Sequence, residues 1–435
     1  MTDRLAPMSR RSFLLASSGA IGTAGCELGN PLAPRQENVR TIDEESLIGG
    51  DQINCAPVAG TPTDIGWALR MMRVPEAWAY SRKRNRPAHG DNVVIGHVDT
   101  GVADHVELRP SKLGEKSPIL WERGYDFVDD ERGGYDPLVN TWHLEQIGHG
   151  TGTASVIVSR GGVVSRAGVM DWPDFDPTCS STTGPGRITG AAPAAFLLPV
   201  RAFRFAATGE RRRVAQAIDY LVDEDVKSPD EKVQVITMAL GWPDESATLE
   251  KAIVKAVRNN IIVLAAAGNW VERITFPARA QTAIGIAGVG PDGKPWRYSS
   301  HGREVVASAP ADKVWRAYRD HKTNRVDLIS PRFGTSYAVS LTAGVAALWI
   351  AHYGRPTLIE IAQTKGWTLQ DLFREALSQS ASAPEDWKRD YGAQFGAGIV
   401  NAEKLLQFDE CRLERLTKTL QPSPAPRLPA DRSCQ

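Results

Sequence analysis

The feature that most constrains this chain is a set of short apolar runs that do not alternate with polar residues. Val93-Val94-Ile95, Phe196-Leu197-Leu198-Pro199-Val200, Val233-Gln234-Val235-Ile236-Thr237-Met238, Ile261-Ile262-Val263-Leu264-Ala265 and Thr282-Ala283-Ile284-Gly285-Ile286-Ala287 share this character. A strand with one wet face alternates, whereas a strand covered on both faces reads as nearly continuous. Helical patterns fall between the runs. Val214, Ala217, Ile218, Leu221 and Val222 share one face over 214–222, and Leu249, Ile253, Ala256 and Val257 share one over 249–257. Such alternation predicts an α/β three-layer fold, with a mainly parallel central sheet and helices on both faces. Ser336 to Ile350 is apolar nearly all round, as expected of a helix buried inside the domain.

Composition removes several alternatives. The chain has 435 residues, with 51 basic against 51 acidic side chains, so its charge gives no sequence-independent grip on nucleic acid. An apolar content of 42% is too high for a disordered chain. No uninterrupted apolar run reaches the roughly 18 residues that a membrane span requires, which excludes a multi-pass membrane protein. Five cysteines are too few for a disulfide-built scaffold.

The ends read differently from the middle. Ser9-Arg10-Arg11-Ser12-Phe13-Leu14-Leu15 joins two arginines to an apolar run that continues to Ala24, similar to a bacterial twin-arginine signal. Thr23-Ala24-Gly25-Cys26 resembles the box before a lipid-modified cysteine, so Cys26 is a candidate lipidation site. The expected partner here is the twin-arginine export machinery, and the expected location is the periplasm or cell envelope. Membrane contact would come only through the Cys26 lipid. Cys55, Cys179, Cys411 and Cys434 then allow two bridges in three pairings, or four free thiols. The organisation expected is a signal segment over 1–26, an arm or tether over 27–64, one folded domain over 65–405 and a proline-rich tail over 406–435.

Four segments place a reactive side chain where a buried run stops. Asp99 ends the strand Val94-Ile95-Gly96-His97-Val98-Asp99, and His149 opens a helix in Gly148-His149-Gly150-Thr151-Gly152. Asn269 ends Leu264-Ala265-Ala266-Ala267-Gly268-Asn269, and Ser336 opens the buried helix in Phe333-Gly334-Thr335-Ser336-Tyr337. In an open α/β sheet such positions converge on one crevice. A serine hydroxyl needs an imidazole to take its proton, and the imidazole needs a carboxylate to fix its tautomer. An amide at Asn269 and the Ser336 backbone N–H could hold a developing oxyanion.

The order Asp, His, Asn, Ser resembles the subtilisin-like serine peptidases. Further likenesses are Ile188-Thr189-Gly190-Ala191-Ala192-Pro193, Ala239-Leu240-Gly241, Tyr298-Ser299-Ser300-His301-Gly302 with Ala309-Pro310, and Gly396-Ala397-Gly398-Ile399-Val400-Asn401-Ala402. The resemblance spans about 65–405 and implies a serine endopeptidase of subtilisin-like fold, acting on protein or peptide substrates. Asp99 would orient His149, His149 would act as general base then acid, and Ser336 would attack the scissile carbonyl to form an acyl-enzyme. Asn269 would complete the oxyanion hole. Ala239, Leu240, Gly241, Ala266, Ala267 and Gly268 would line the pocket for the residue before the cut, with Trp242 and Trp270 at its rim and Glu272 close by. No cofactor is implied for catalysis. A structural calcium is an option at Asp126, Asp129 and Asp130, against a plain solvated loop.

Three positions depart from the family's usual pattern. Gly152 stands where a second histidine is usual, Tyr337 replaces a methionine, and Ser340 takes the place of a proline in the serine helix. The stretch from Cys26 to about Thr63 is also too short for the usual inhibitory prosegment. Asp99-Thr100-Gly101 alone matches the aspartic-peptidase triplet, but no second such triplet occurs. Gly148, Gly150 and Gly152 imitate a dinucleotide loop without a preceding strand. His97 shares strand parity with Asp99 and reads first as a core histidine. The rival function is a catalytically silent subtilase fold serving as an envelope binding or scaffold protein. Retention of Asp99, His149, Asn269 and Ser336 together argues against it.

Overall fold

The computed structural model describes residues 54–55, 65–110, 116–138, 148–160, 179–180, 188–204, 210–224, 231–319 and 326–417. All of them fall in the compact unit Ile42–Gln435. The signal segment, Cys26 and the proline-rich run lie outside the described residues. Its strands are β1 (Asn54–Cys55), β2 (Val94–Asp99), β3 (Tyr125–Asp126), β4 (Glu131–Arg132), β5 (Cys179–Ser180), β6 (Phe196–Arg201), β7 (Val233–Met238), β8 (Ile262–Ala266), β9 (Ile284–Val289), β10 (Val305–Pro310), β11 (Val314–Tyr318) and β12 (Leu328–Arg332). The central sheet has eight strands in the order β10-β9-β8-β7-β2-β6-β3-β4. Every pairing in it is parallel except β3 with β4.

Residues 94–99, 233–238, 262–266 and 284–289 are buried throughout, which is why their sequences do not alternate. Helices cover both faces. On one lie α1 (Trp67–Met71), α2 (Val74–Arg82) and α3 (His149–Val158), while α4 (Arg211–Asp223) lies on the other. There α4 packs beside α5 (Ala247–Arg258). The long α6 (Thr335–Tyr353) returns to the first face, followed by α7 (Arg355–Thr364) and α8 (Leu369–Ser380). The three-layer α/β expectation holds.

Strand β2 sits between β6 and β7, so the chain runs outward from it in both directions. Its carboxyl end, at Asp99, is therefore a topological switch point, where an open parallel sheet leaves a crevice. The helix α6 is buried along nearly its whole length. Two of its hydroxyls are satisfied within the helix: those of Ser340 and Thr342 donate to the carbonyls of Ser336 and Ala338, each at 2.8 Å.

Packing runs past the domain boundary expected near 405. Leu413 and Leu416 are buried, and the Tyr353 hydroxyl donates to the carbonyl of Phe408, so packing continues into the segment read as tail. The short antiparallel pair β1–β5 sets Cys55 opposite Cys179, the backbone register of one of the three pairings left open. Cys411 is exposed and unpaired.

Candidate active site

Asp99 is fully buried at the end of β2, and His149 is the first residue of α3. The imidazole Nδ1 of His149 lies 2.7 Å from Asp99 Oδ1, which also accepts the Thr100 backbone N–H at 2.7 Å. Burial alone would push the Asp99 carboxyl up. The charge and hydrogen bond of His149, with help from His97 and Thr100, hold it below its ordinary value, so the group stays an anion. With Nδ1 committed to Asp99, Nε2 is the nitrogen left to receive a proton.

Asp136, which is not among the expected site residues, sets the start of α3. Asp136 Oδ2 accepts from the Gly148 backbone N–H at 3.1 Å and from the Thr100 hydroxyl at 3.2 Å. The Thr100 oxygen in turn accepts the Gly150 N–H at 3.1 Å. These bonds tie the helix that carries His149 to the loop that follows Asp99. Asp136 follows the acidic residues Asp126, Asp129 and Asp130 in the sequence, but nothing in local periodicity marks which carboxylate reaches a helix start.

Ser336 opens α6, which packs against α3. The Asn269 side chain is oriented by Thr335, whose backbone N–H and hydroxyl both donate to Asn269 Oδ1 at 2.9 Å. Two donors at one end require oxygen there, so the Nδ2 amide is the free donor at the other. Gly334 marks where it lies. A Cβ built on Gly334 would stand 3.6 Å from Asn269 Nδ2 and 3.8 Å from the Ser336 backbone nitrogen. Two nitrogen donors thus lie within 4 Å of one point beside the serine. Gly334 has a φ of +141°, a conformation that glycine adopts without strain.

Ala239, Leu240, Ala266 and Ala267 are buried at the ends of β7 and β8, with Gly241 and Gly268 half-buried beside them. Thr275, absent from the sequence reading, packs against both glycines and donates its hydroxyl to the Ala267 carbonyl at 3.0 Å. Trp242 is not at a rim. It is buried in the core of the opposite face, its backbone N–H donating to the Phe276 carbonyl at 2.8 Å. Trp270 is exposed, as is Glu272.

Two departures from the family pattern meet on one residue. A Cβ at position 152 would come within 2.9 Å of Arg316 Cδ, so Gly152 makes room for that buried side chain. Tyr337 hydrogen-bonds the same arginine. The third departure, Ser340, donates to the Ser336 carbonyl, a bond that a proline there could not make.

The acidic stretch is arranged around an internal cation. Arg201, buried at the end of β6, pairs with Asp126 and, at 2.5 Å, with Asp129, while Asp130 separately accepts from the Tyr125 hydroxyl at 2.6 Å. The guanidinium lies between two of the three carboxylates named as calcium candidates. Among the described residues no group of three or more His, Cys, Asp or Glu side chains could hold a metal ion, and no helix is long and apolar enough to cross a membrane.

With this geometry stand the comparisons. A model of the subtilase family matches residues 90–393, and the chain belongs to that family, the subtilisin-like serine peptidases, a class of hydrolases. Thermitase of Thermoactinomyces vulgaris is 26% identical over 355 residues, spanning 80% of this chain and 100% of the relative. The thermostable alkaline protease of Halalkalibacterium halodurans is 27% identical over 300 residues, spanning 69% of this chain and 66% of its own length. The major intracellular serine protease of Bacillus subtilis is 25% identical, spanning 64% and 73%. Among solved structures, a protease from Pseudoalteromonas arctica superposes with a TM-score of 0.56 at 22% identity, covering 77% of this chain and 93% of that one. That likeness concerns the fold.

Proposed function

We propose that this chain is an exported serine endopeptidase that cleaves peptide bonds with Asp99, His149 and Ser336. The observation that carries the reading is the His149 Nδ1 to Asp99 Oδ1 contact of 2.7 Å, joined to the paired donors of Asn269 and Ser336 beside Gly334. Asp99 holds the tautomer in which His149 Nε2 is a base. His149 takes the Ser336 hydroxyl proton as the serine oxygen bonds to the substrate carbonyl carbon. Negative charge then gathers on the former carbonyl oxygen, between the Asn269 amide and the Ser336 N–H. The amine leaves with the proton from His149, and water repeats the sequence to release the acid.

Substrate choice follows from the surface beside that point. Trp270 and Phe333 are 62% and 52% exposed, although both are large and apolar. Their rings meet edge to face at 6.0 Å, and Trp296 and Tyr298 back them. Trp270 follows Asn269 and Phe333 precedes Gly334, so this shelf borders the reacting bond and favours an apolar residue next to the cut. Export rests on the twin-arginine-like start and Cys26.

The test is covalent labelling with a fluorophosphonate probe, which requires an activated serine. Ser336 is expected to carry the label in the wild type, and His149→Ala is expected to lose it. Labelling of equal strength in both proteins would contradict the proposed base.

A further inference from the structure

His97 is one residue the mechanism leaves unused. It is 1% exposed and stands on the same side of β2 as Asp99, as its strand parity indicates. Its Nε2 lies 2.8 Å from Thr153 Oγ1 and 3.7 Å from Asp99 Oδ2. Thr153, on α3 with His149, has its hydroxyl 3.1 Å from Asp99 Oδ2. We infer that His97 and Thr153 are positioning residues that hold the far oxygen of Asp99, so that its near oxygen stays aimed at His149. The inference rests on the proposed roles of Asp99, His149 and Ser336.

Proton counting gives the direction of each bond. The Thr153 hydroxyl has one hydrogen and three acceptors in reach: Asp99 Oδ2, and the His149 and Gly150 carbonyls at 3.2 Å each. The carboxylate is the charged acceptor and takes that hydrogen. His97 Nε2 must then be the N–H that donates to Thr153 Oγ1. The charged groups acting on His97 are Asp99 and His149, while its register neighbours, Pro199 on β6 and Thr237 on β7, are neutral. Burial pushes the imidazole down to about 4, so near neutral pH it carries the single N–H that this arrangement needs. Among the described residues neither His97 Nδ1 nor Thr237 Oγ1 has a hydrogen-bond partner. A buried imidazole with one nitrogen unsatisfied is costly in a core, and its other nitrogen serves the carboxylate of the site.

The test compares Thr153→Val, Thr153→Ser, His97→Leu and Ser336→Ala on a chromogenic peptide anilide, after circular dichroism confirms folding. Thr153→Val and His97→Leu are expected to lower kcat about 10- to 100-fold while KM moves less than about twofold. Thr153→Ser keeps the hydroxyl and is expected to stay within about threefold of wild type. Removing a donor makes Asp99 more basic and favours protonated His149, so in Thr153→Val the acidic limb of the pH profile should move up by about half a unit. Equal losses in Thr153→Ser and Thr153→Val, with an unmoved acidic limb, would mean packing alone and overturn the inference. Wild-type turnover in Thr153→Val beside an inactive Ser336→Ala would overturn it while leaving the triad standing. Full turnover in Ser336→Ala would remove the triad, and the relay with it.

Discussion

The two faces of the central sheet are built to different rules. The face beneath α3 and α6 buries many polar groups: His97, Asp99, Thr153, Ser155, Ser340 and Thr342 are all nearly inaccessible. The face beneath α4 and α5 is apolar at its centre, with Ile218, Leu221, Leu249, Ile253 and Ala256 closed against β2, β7 and β8. Its charges stay outside, where Lys255 bridges Asp219 and Asp223 across the two helices at 3.2 and 2.5 Å. A polar group costs stability when buried unless each of its bonds is made. On the proposed function, the chain accepts that cost on the face where a base, a nucleophile and an oxyanion site have to be held, and avoids it on the other. Substitutions should therefore separate: activity lost without stability on one face, stability lost without activity on the other.

The largest effect expected is on the polar face. Loss of the nucleophile in subtilisin removes about six orders of magnitude of turnover, and loss of its oxyanion amide roughly two to three. The same grading is expected here for Ser336→Ala and Asn269→Ala, measured as kcat on a peptide anilide. Ser336→Ala should unfold at the wild-type temperature, whereas Asn269→Ala takes the acceptor from the buried Thr335 backbone N–H and hydroxyl and should also cost about 1–3 kcal/mol of stability. An Asn269→Ala protein as inactive as Ser336→Ala would show that the amide does more than bind the oxyanion.

The apolar face supplies the counterpart. Ile253 is wholly buried on α5, and Ile253→Ala should cost about 2–5 kcal/mol through lost burial and the cavity left behind. Urea unfolding measures this, and kcat of the folded fraction should stay at the wild-type value. A fall in kcat comparable to that in Asn269→Ala would mean that the two faces are coupled through the sheet.

Much of this division can be read in the sequence, and the limit of that reading has a physical cause. The run Val233–Met238 is β7 residue for residue, and Ser336 opens its helix one residue inside the observed start at Thr335. Burial on both faces imposes such patterns locally, so local inspection recovers them. His97 could be placed on the Asp99 side by parity alone. Pairings between distant segments leave no comparable trace. Nothing around Asp126 and Asp129 indicates that Arg201 lies between them, and an acidic cluster reads equally well as a calcium site. The hairpin of β11 and β12 also escaped notice, because Val314-Trp315-Arg316-Ala317-Tyr318 puts a charge inside the strand. That charge is Arg316, buried for reasons visible only where Gly152 and Tyr337 meet it.

The smallest expected effect concerns pH, and it too belongs to the polar face. Burial lowers His97 and His352 from 6.5 to about 4, and His352 Nδ1 is 2.7 Å from the Ser81 hydroxyl. Unfolded, both imidazoles gain a proton below about 6.5; folded, neither does until about 4. The unfolded chain binds more protons in that window, so these two groups make stability fall as pH drops from 6.5 towards 4. Asp136 acts in the opposite sense. Burial raises it from 3.8 to about 6, so the folded state takes up its proton first and gains stability as pH falls from 6. Two losses against one gain leave a net decline of about 2 kcal/mol between pH 7 and pH 5. Urea unfolding of Ser336→Ala, which removes self-digestion, reads this directly, and His352→Gln should remove most of the difference, since the Asp136 gain then offsets much of the remaining His97 loss. An unchanged unfolding free energy at the two pH values would mean that the imidazoles reach protons in the folded state. The contrast between a costly polar face and a passive apolar one would then lose one of its measurable consequences.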